Sequence, residues 1–390
     1  MSNAQRDLPE RALPAWRRAV LKVGSNLLAA DGGGLTTRYA QALAGFITAS
    51  HAAGREVVLV SSGAVAAGCA LMRERATLGG DLAARQALAA LGQAPMIALW
   101  QGLSERAVAQ VLLTHDDLRN RRRYLNARAT LRELLALGVL PVVNENDTVA
   151  VDELKLGDND NLAAIVAALV DADLLLIASD VDALYNADPR RDPNAEPIGH
   201  VAQLTPDVLA MAGGSGSSVG TGGMRTKLEA ASKAAAAGIP TALFGGRDAD
   251  TVKALQQGRL RGTLLDVAGN RMQARKYWLR HAPGGNGHIR VDAGAARALL
   301  GGRASLLPGG ILGAIGEFHR GDLVEIVDAD GRPIARGLCQ YGVSEVRRLL
   351  GRHSRDIAAL LGYSYGAEIV HRDDLATLAN PETTQEGMDA

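Results

Sequence analysis

The sequence predicts an α/β protein, an open and mostly parallel sheet flanked by helices, with a small β-rich domain after it. Three observations carry this. Short apolar runs that read as strands alternate with longer runs that read as helices, the order required by a parallel sheet covered on both faces. Apolar residues make up 47% of the 390 residues but aromatics only 3%, so the interior must be aliphatic, which suits helices packed on a sheet. After about residue 270 the alternation gives way to short strand-like pieces divided by glycine turns.

Taken in order, the first strand is expected over 19–23, an apolar run broken by Lys22 and closed by Gly24. A buried ammonium without a partner is costly, so Lys22 should stand at the strand end facing an anion or a carboxylate. A strand lysine that merely snorkels to solvent is the plainer alternative. Further strands are expected over 56–61, 139–143, 174–178 and 239–244, with helices over 38–53, 83–92, 123–137, 161–169 and 226–237 between them. In the tail, strands are expected over 289–291, 323–327 and 334–338 with one or two short helices. Pro308-Gly309-Gly310 and Asp330-Gly331 mark turns. Residues 281–287, rich in glycine with one proline, mark a boundary, and the polar stretch 381–390 should fray.

Composition narrows the functional class. Basic and acidic residues balance at 42 each, which argues against a nucleic-acid protein held by bulk charge. Two cysteines, Cys69 and Cys339, make no disulfide framework, and no C-x-x-C spacing suggests a metal site. The polar start lacks the apolar core of a signal peptide, and no apolar run reaches the length of a membrane span. A cytoplasmic protein with no membrane partner is expected.

The polar motifs fall just after strands or at helix starts, where ligands of open α/β sheets gather. Asn144-Glu145-Asn146-Asp147 follows the 139–143 strand, and Gly157-Asp158-Asn159-Asp160-Asn161 opens the next helix. So many donors and acceptors suggest a site for a polar small molecule, although Asp and Asn also favour plain turns. Gly220-Thr221-Gly222-Gly223-Met224-Arg225-Thr226-Lys227 reads as a glycine-rich loop entering a helix, suited to phosphate because backbone N–H groups can approach the anion. It is not a P-loop, since Thr226 precedes Lys227 and Leu228 follows it. A flexible linker is the alternative for 213–223. Ser61-Ser62-Gly63-Ala64 and Ser179-Asp180-Val181-Asp182 occupy equivalent places after two other strands. The run Arg119 to Arg123 reads as a solvated or oligomer-facing surface, and His115-Asp116-Asp117 as a turn and helix cap rather than a metal site. Cys69, in an apolar segment, reads as a core residue.

Together these motifs resemble the glutamate 5-kinases of the amino acid kinase family. The resemblance is carried by Lys22-Val-Gly-Ser-Asn26, Val60-Ser-Ser-Gly-Ala-Val-Ala-Ala-Gly68, Leu125-Asn-Ala-Arg128, Asn144-Glu-Asn-Asp147, Gly157-Asp-Asn-Asp-Asn161, Leu184-Tyr185 with Ala187-Asp-Pro189, and Gly220 to Lys227. It runs in unbroken order from about Arg18 to His371, and the tail resembles a PUA domain. Ala183 departs from the glycine common in that turn, and the arm before Arg18 is longer than usual. The implied division is an arm over 1–17, a kinase domain over 18–270, a linker over 271–286, a PUA-like domain over 287–364 and a tail over 365–390.

The resemblance implies ATP-dependent phosphorylation of the L-glutamate side chain to L-glutamyl 5-phosphate, the first step of proline biosynthesis. A carboxylate with a reference pKa of about 4.3 is already ionised at neutral pH and needs no general base, which fits motifs without histidine. Partly carried over from the family, Lys22, Lys227 and Asp160 are the expected catalytic residues, with Asp160 orienting both lysines. Ser62, Asn144, Asp147, Asp158 and Asn159 are expected to hold glutamate. Lys22, Ser179, Asp180 and Thr221, Gly222, Gly223, Met224, Arg225, Thr226 and Lys227 are expected to hold ATP. Mg2+ is expected on the phosphates with few protein ligands, and none is assigned. The resemblance further implies proline as an inhibitor overlapping the glutamate site, a homo-oligomer (dimer or tetramer) and hand-off of product to glutamyl phosphate reductase. Two other classes compete with this reading. RNA binding through the tail would need Arg290, Arg297, Arg347, Arg348 and Arg352 on one face, but Asp322, Glu325, Asp328, Asp330 and Glu345 are interleaved with them. A sibling kinase acting on another anion shares the fold, but the two acid-amide segments favour glutamate.

Overall fold

The computed structural model describes residues 8–30, 33–72, 82–150, 159–189, 191–211, 223–267, 279, 287–302 and 304–378, with the side chains at 119 and 121 also outside the description. The chain forms two compact units, Met1–Asn270 and Arg271–Ala390.

In the larger unit the strands are β1 (Glu10–Ala12), β2 (Arg18–Val23), β3 (Glu56–Ser61), β4 (Val108–Leu113), β5 (Leu140–Glu145), β6 (Leu174–Ser179), β7 (Leu184–Tyr185), β8 (Pro197–Ile198), β9 (His200–Val201), β10 (Thr241–Gly245) and β11 (Arg259–Leu265). Its main sheet runs β1-β11-β10-β6-β2-β3-β5-β4, with β9 paired to β11. From β10 to β4 every pairing is parallel, whereas β11 joins β10 antiparallel. The central strands are buried on both sides, so they read as continuous aliphatic runs rather than alternating ones. One core lies on each sheet face: Leu21, Leu59, Leu176 and Phe244 on one, Val20, Val60, Leu175 and Ile177 on the other. Strand β2 pairs with β3 on one side and β6 on the other, so the chain leaves the sheet centre in both directions there. That reversal opens a crevice at the carboxyl end of β2, where Lys22 stands.

The helices that serve this crevice are α1 (Ser25–Leu28), α2 (Ala40–Ala52), α3 (Ala64–Leu71), α4 (Leu82–Leu103), α5 (His115–Arg119), α6 (Arg121–Ala136), α7 (Asn159–Leu169), α8 (Pro206–Met211), α9 (Met224–Ala236) and α10 (Ala249–Gln256). Helix α4 extends well beyond the expected 83–92. Gly92 and Pro95 read as a stop, yet the helix continues because Met96 and Trp100 bury on its far side, outweighing the local cost of proline. Gly92 and Gly68 let α3 and α4 touch backbone to backbone: a Cβ on Gly92 would stand 1.7 Å from the Ala64 carbonyl oxygen. Strands β4 and β11 and helices α3, α5 and α10 carried weak local signals. Arg259–Leu265 was obscured by Gly262, whose φ of 156° lets its backbone press against the Leu243 carbonyl. The His115 segment is the capped turn expected: Thr114 accepts from the Asp117 N–H, and Asp117 accepts from the Thr114 N–H. Cys69 is only half-buried rather than a core residue.

The smaller unit is a mixed five-stranded sheet, β13-β12-β14-β15-β16, formed by β12 (Gly287–Val291), β13 (Ile311–Gly316), β14 (Leu323–Val327), β15 (Pro333–Leu338) and β16 (Leu375–Thr377). It packs around Ile289, Val324, Ile326, Tyr341 and Val370. Among the described residues, the α-helices Ala293–Leu300, Val343–Leu349 and Ile357–Leu361 exceed the one or two expected. The last is only five residues long, too short to leave a periodic signature. Among the described residues, no helix is long and apolar enough to cross a membrane.

Candidate active site

Three polypeptide ends meet over the crevice. Lys22 is the penultimate residue of β2, Asp160 lies in the first turn of α7, and Lys227 lies in the first turn of α9. All three are buried, at 5%, 1% and 6% exposure. The Asp160 carboxylate lies between the lysines: Oδ1 is 2.6 Å from Lys22 Nζ and Oδ2 is 3.2 Å from Lys227 Nζ. Thr226 Oγ1 lies 2.8 Å from both Oδ2 and the Gly223 carbonyl oxygen, its single hydroxyl proton shared between the two acceptors at the first turn of α9. Burial alone would raise the Asp160 carboxyl, but the charges of Lys22 and Lys227 outweigh it and hold the group down at about 2. The result is an anion committed to two cations, with one net positive charge left over. Gly24 brings the backbone past Lys22, since a Cβ there would lie 3.5 Å from Nζ.

Beside this triad is an amide cluster. Asn159 Nδ2 donates to Ser62 Oγ at 2.8 Å and to Asn144 Oδ1 at 2.9 Å, joining the ends of β3 and β5 to the start of α7. Asn144 and Asn159 are 2% and 4% exposed. Ser62 is placed from beneath: its N–H bonds to the Val23 carbonyl, and Ser61 Oγ donates to its carbonyl while accepting from Trp100 Nε1 at 2.8 Å. Asp147 sits in the turn after β5. Burial, and then the negative charge of Glu145, push its carboxyl up to about 6, with Arg85 pulling the other way.

On the other flank, Ser179 ends β6 and hydrogen-bonds through Oγ to Asp180 Oδ1 and from the Val181 N–H. Asn26 Nδ2 donates to Asp180 Oδ2 at 3.0 Å, linking the turns after β2 and β6. Burial opposes ionisation of Asp180, but the Asn26 hydrogen bond and the charges of Arg247 and Lys227 hold its carboxyl below the usual range. Met224 is half-buried, whereas Arg225 is exposed and pairs with Glu229 one turn along its own helix at 2.9 Å. The structure therefore brings together Lys22, Ser62, Asn144, Asn159, Asp160, Thr226 and Lys227, with Asp147, Ser179 and Asp180 in the adjoining turns. Asp158, Thr221 and Gly222 lie outside the described residues. Asn26, Ser61 and Glu145 stand inside the quoted motifs but have no role assigned from sequence, whereas Trp100 has no local signal because its partner lies 39 positions earlier.

The amino acid kinase family matches residues 17–245, the span that contributes every one of these side chains. The chain belongs to that family. The PUA domain matches residues 287–361, within the smaller unit. Among relatives, the glutamate 5-kinase of Xanthomonas oryzae pv. oryzae (strain MAFF 311018) is 68% identical over 362 residues, covering 92% of this chain and all of that protein. The glutamate 5-kinase of Xylella fastidiosa (strain M12) is 66% identical over 374 residues, covering 95% of this chain and 97% of that protein. Within the amino acid kinase family the chain therefore groups with the glutamate 5-kinases.

Proposed function

We propose that this protein transfers the γ-phosphoryl group of ATP to the side-chain carboxylate of L-glutamate, yielding ADP and L-glutamyl 5-phosphate, the first step of proline biosynthesis. The observation that carries the site assignment is the Asp160 carboxylate shared between Lys22 and Lys227, next to the Ser62–Asn159–Asn144 amide cluster. A carboxylate oxygen attacks the γ-phosphorus, a new O–P bond forms, and the bond to the β–γ bridging oxygen breaks. Both reactants are anions, so the demands are alignment and positive charge. Lys22 serves the phosphoryl group in flight and Lys227 the leaving β–γ side, each held in place by Asp160 rather than by the substrate. Asp160 is no base, since its proton affinity is lowered and both its oxygens are engaged.

Glutamate is held by Ser62, Asn144, Asn159 and Asp147, with Asp158 as the remaining expected contact. Asp147 receives the α-ammonium group, while the Ser62 hydroxyl donates to carboxylate oxygen and Asn159, its two amide hydrogens taken by Ser62 and Asn144, offers its Oδ1 as an acceptor. Ser179, Asp180 and the 221–227 loop hold the nucleotide. Mg2+ carried on the nucleotide's phosphates, with mostly water around it, would neutralise phosphate charge there. Proline, as a product-like amino acid, fits the same amide cluster as a competitor of glutamate.

The test is ADP release across glutamate, aspartate, acetylglutamate, carbamate and uridylate, with hydroxylamine trapping of acyl phosphate. Turnover restricted to glutamate with a trapped hydroxamate is expected; turnover on a nucleotide or carbamate without one refutes the reading. Lys227→Ala should lower kcat far more than it raises the glutamate KM, and Asp147→Asn should raise the glutamate KM while sparing that for ATP.

A further inference from the structure

Glu145 is a buried carboxylate that the reaction does not use. It ends β5, only 3% exposed, one residue after Asn144 and two before Asp147. A carboxylate at that depth needs a compensating charge. The ion contact recorded for it among the described residues is His115, whose Nδ1 lies 3.6 Å from Glu145 Oε1. That nitrogen is itself buried and makes no hydrogen bond among the described residues. Helix capping does not account for the placement, because Thr114 and Asp117 complete the cap between themselves.

The backbone ties this pair to the substrate turn. Strands β4 and β5 run parallel with Leu113 opposite Glu145, and the Asn146 N–H bonds to the Leu113 carbonyl, so His115 starts its helix directly beside the turn. Val149 and Ala150 both donate to the Asn146 carbonyl, and Gln86 of α4 holds the Ala150 carbonyl at 3.0 Å. Among the described residues, Asp117 is occupied by Thr114 and by Arg123 at 3.0 Å, Asp116 is exposed, and Arg85 on α4 acts on Asp147 against Glu145. The Glu145 charge is what disfavours the anionic form of Asp147 beyond burial itself.

We propose that His115 is a positioning residue for the amino-acid substrate: its imidazolium offsets the Glu145 carboxylate behind the Asn146–Ala150 turn and so keeps Asp147 anionic, ready to receive the α-ammonium group. This rests on the assignment of Asp147 to that ammonium made above. Histidine is the side chain type that gains charge in the mildly acidic range, where a carboxylate raised by burial would otherwise take up a proton.

The experiment measures the glutamate KM of the full chain at saturating ATP between about pH 5.5 and 8.5 for wild type, His115→Gln, His115→Arg, Glu145→Gln, the His115→Gln/Glu145→Gln pair and Asp147→Asn. Loss of the offset should raise the glutamate KM of His115→Gln by about twofold near pH 6, with the profiles converging above about pH 8. His115→Arg, with a permanent charge, should match or improve on wild type at the acid end. Glu145→Gln should flatten the acid rise and shrink the effect of His115→Gln. A KM raised by the same factor at every pH, or an equal His115→Gln effect with and without Glu145, overturns the inference in favour of simple packing. If Asp147→Asn raises the glutamate KM while the other profiles superimpose on wild type, the site reading stands and this inference alone fails. If Asp147→Asn leaves the glutamate KM unchanged, the assignment of Asp147 fails first.

Discussion

Replacing Asp160 with asparagine tests the centre of the site because it removes one charge and leaves two buried ammonium groups facing each other. At 2.6 and 3.2 Å, the two contacts correspond to gross attractions of roughly 5–6 kcal/mol each at an effective dielectric near 20. Most of this offsets desolvation, so the net cost of removing the shared partner should be about 3–5 kcal/mol. At roughly 2–4 °C per kcal/mol for a domain of this size, the larger unit should melt about 6–20 °C lower in phosphate-free buffer. Calorimetry with and without inorganic phosphate is the assay. Stripped of Asp160, the lysines make a stronger anion site, so phosphate should raise the variant's melting temperature more than the wild type's. Turnover should fall by about a hundredfold or more, as the lysines lose their fixed orientation. The pH dependence has a definite sign. A carboxyl held at about 2 against an ordinary value of 3.8 contributes stability above about pH 4 that is lost as pH falls towards 2, and Asp160→Asn should be flatter there. A variant that melts within about 2 °C of wild type, with no extra response to phosphate, would refute the argument that Asp160 stabilises the two lysines.

Two further substitutions probe the scaffold. Gly92→Ala would place a Cβ 1.7 Å from the Ala64 carbonyl oxygen and 2.7 Å from the Gly68 nitrogen, forcing α3 and α4 apart; urea unfolding should show a loss of about 1–3 kcal/mol or more. Asp171, at the end of α7 with φ of 56°, accepts from Arg128 at 2.8 Å and Arg132 at 2.5 Å, so Asp171→Ala should cost about 3 kcal/mol by the same measurement. An Asp171→Ala variant as stable as wild type would mean that other contacts of Arg128 suffice.

Much of the fold was legible because buried parallel strands are short, continuous and aliphatic. The 56–61 run matches β3 end to end, and the other four expected strands fall on β2, β5, β6 and β10 with ends shifted by a residue or two. Where local signals conflicted with burial, burial won: α4 runs through Gly92 and Pro95 to cover Met96 and Trp100, and β11 absorbs Gly262 to pair with β10. Short elements such as α5 and Ile357–Leu361 hold too few residues to show a period. Within the site, the acid-amide segments and both lysines stood out because such residues are costly inside an aliphatic core. The parts played by Asn26, Trp100 and Glu145 did not, since each acts through a partner far along the chain.

Residue chemistry along the chain was enough to specify an aliphatic α/β protein and a set of polar side chains after strands and at helix starts, because strand burial and helix starts are set by near neighbours. That Lys22 and Lys227, 205 positions apart, face one carboxylate was settled by strand order, which places β2 between β3 and β6 and packs α7 against α9. The same holds for His115 and Glu145. Charge interactions depend on distance through space, and that distance exists only once the sheet has assembled.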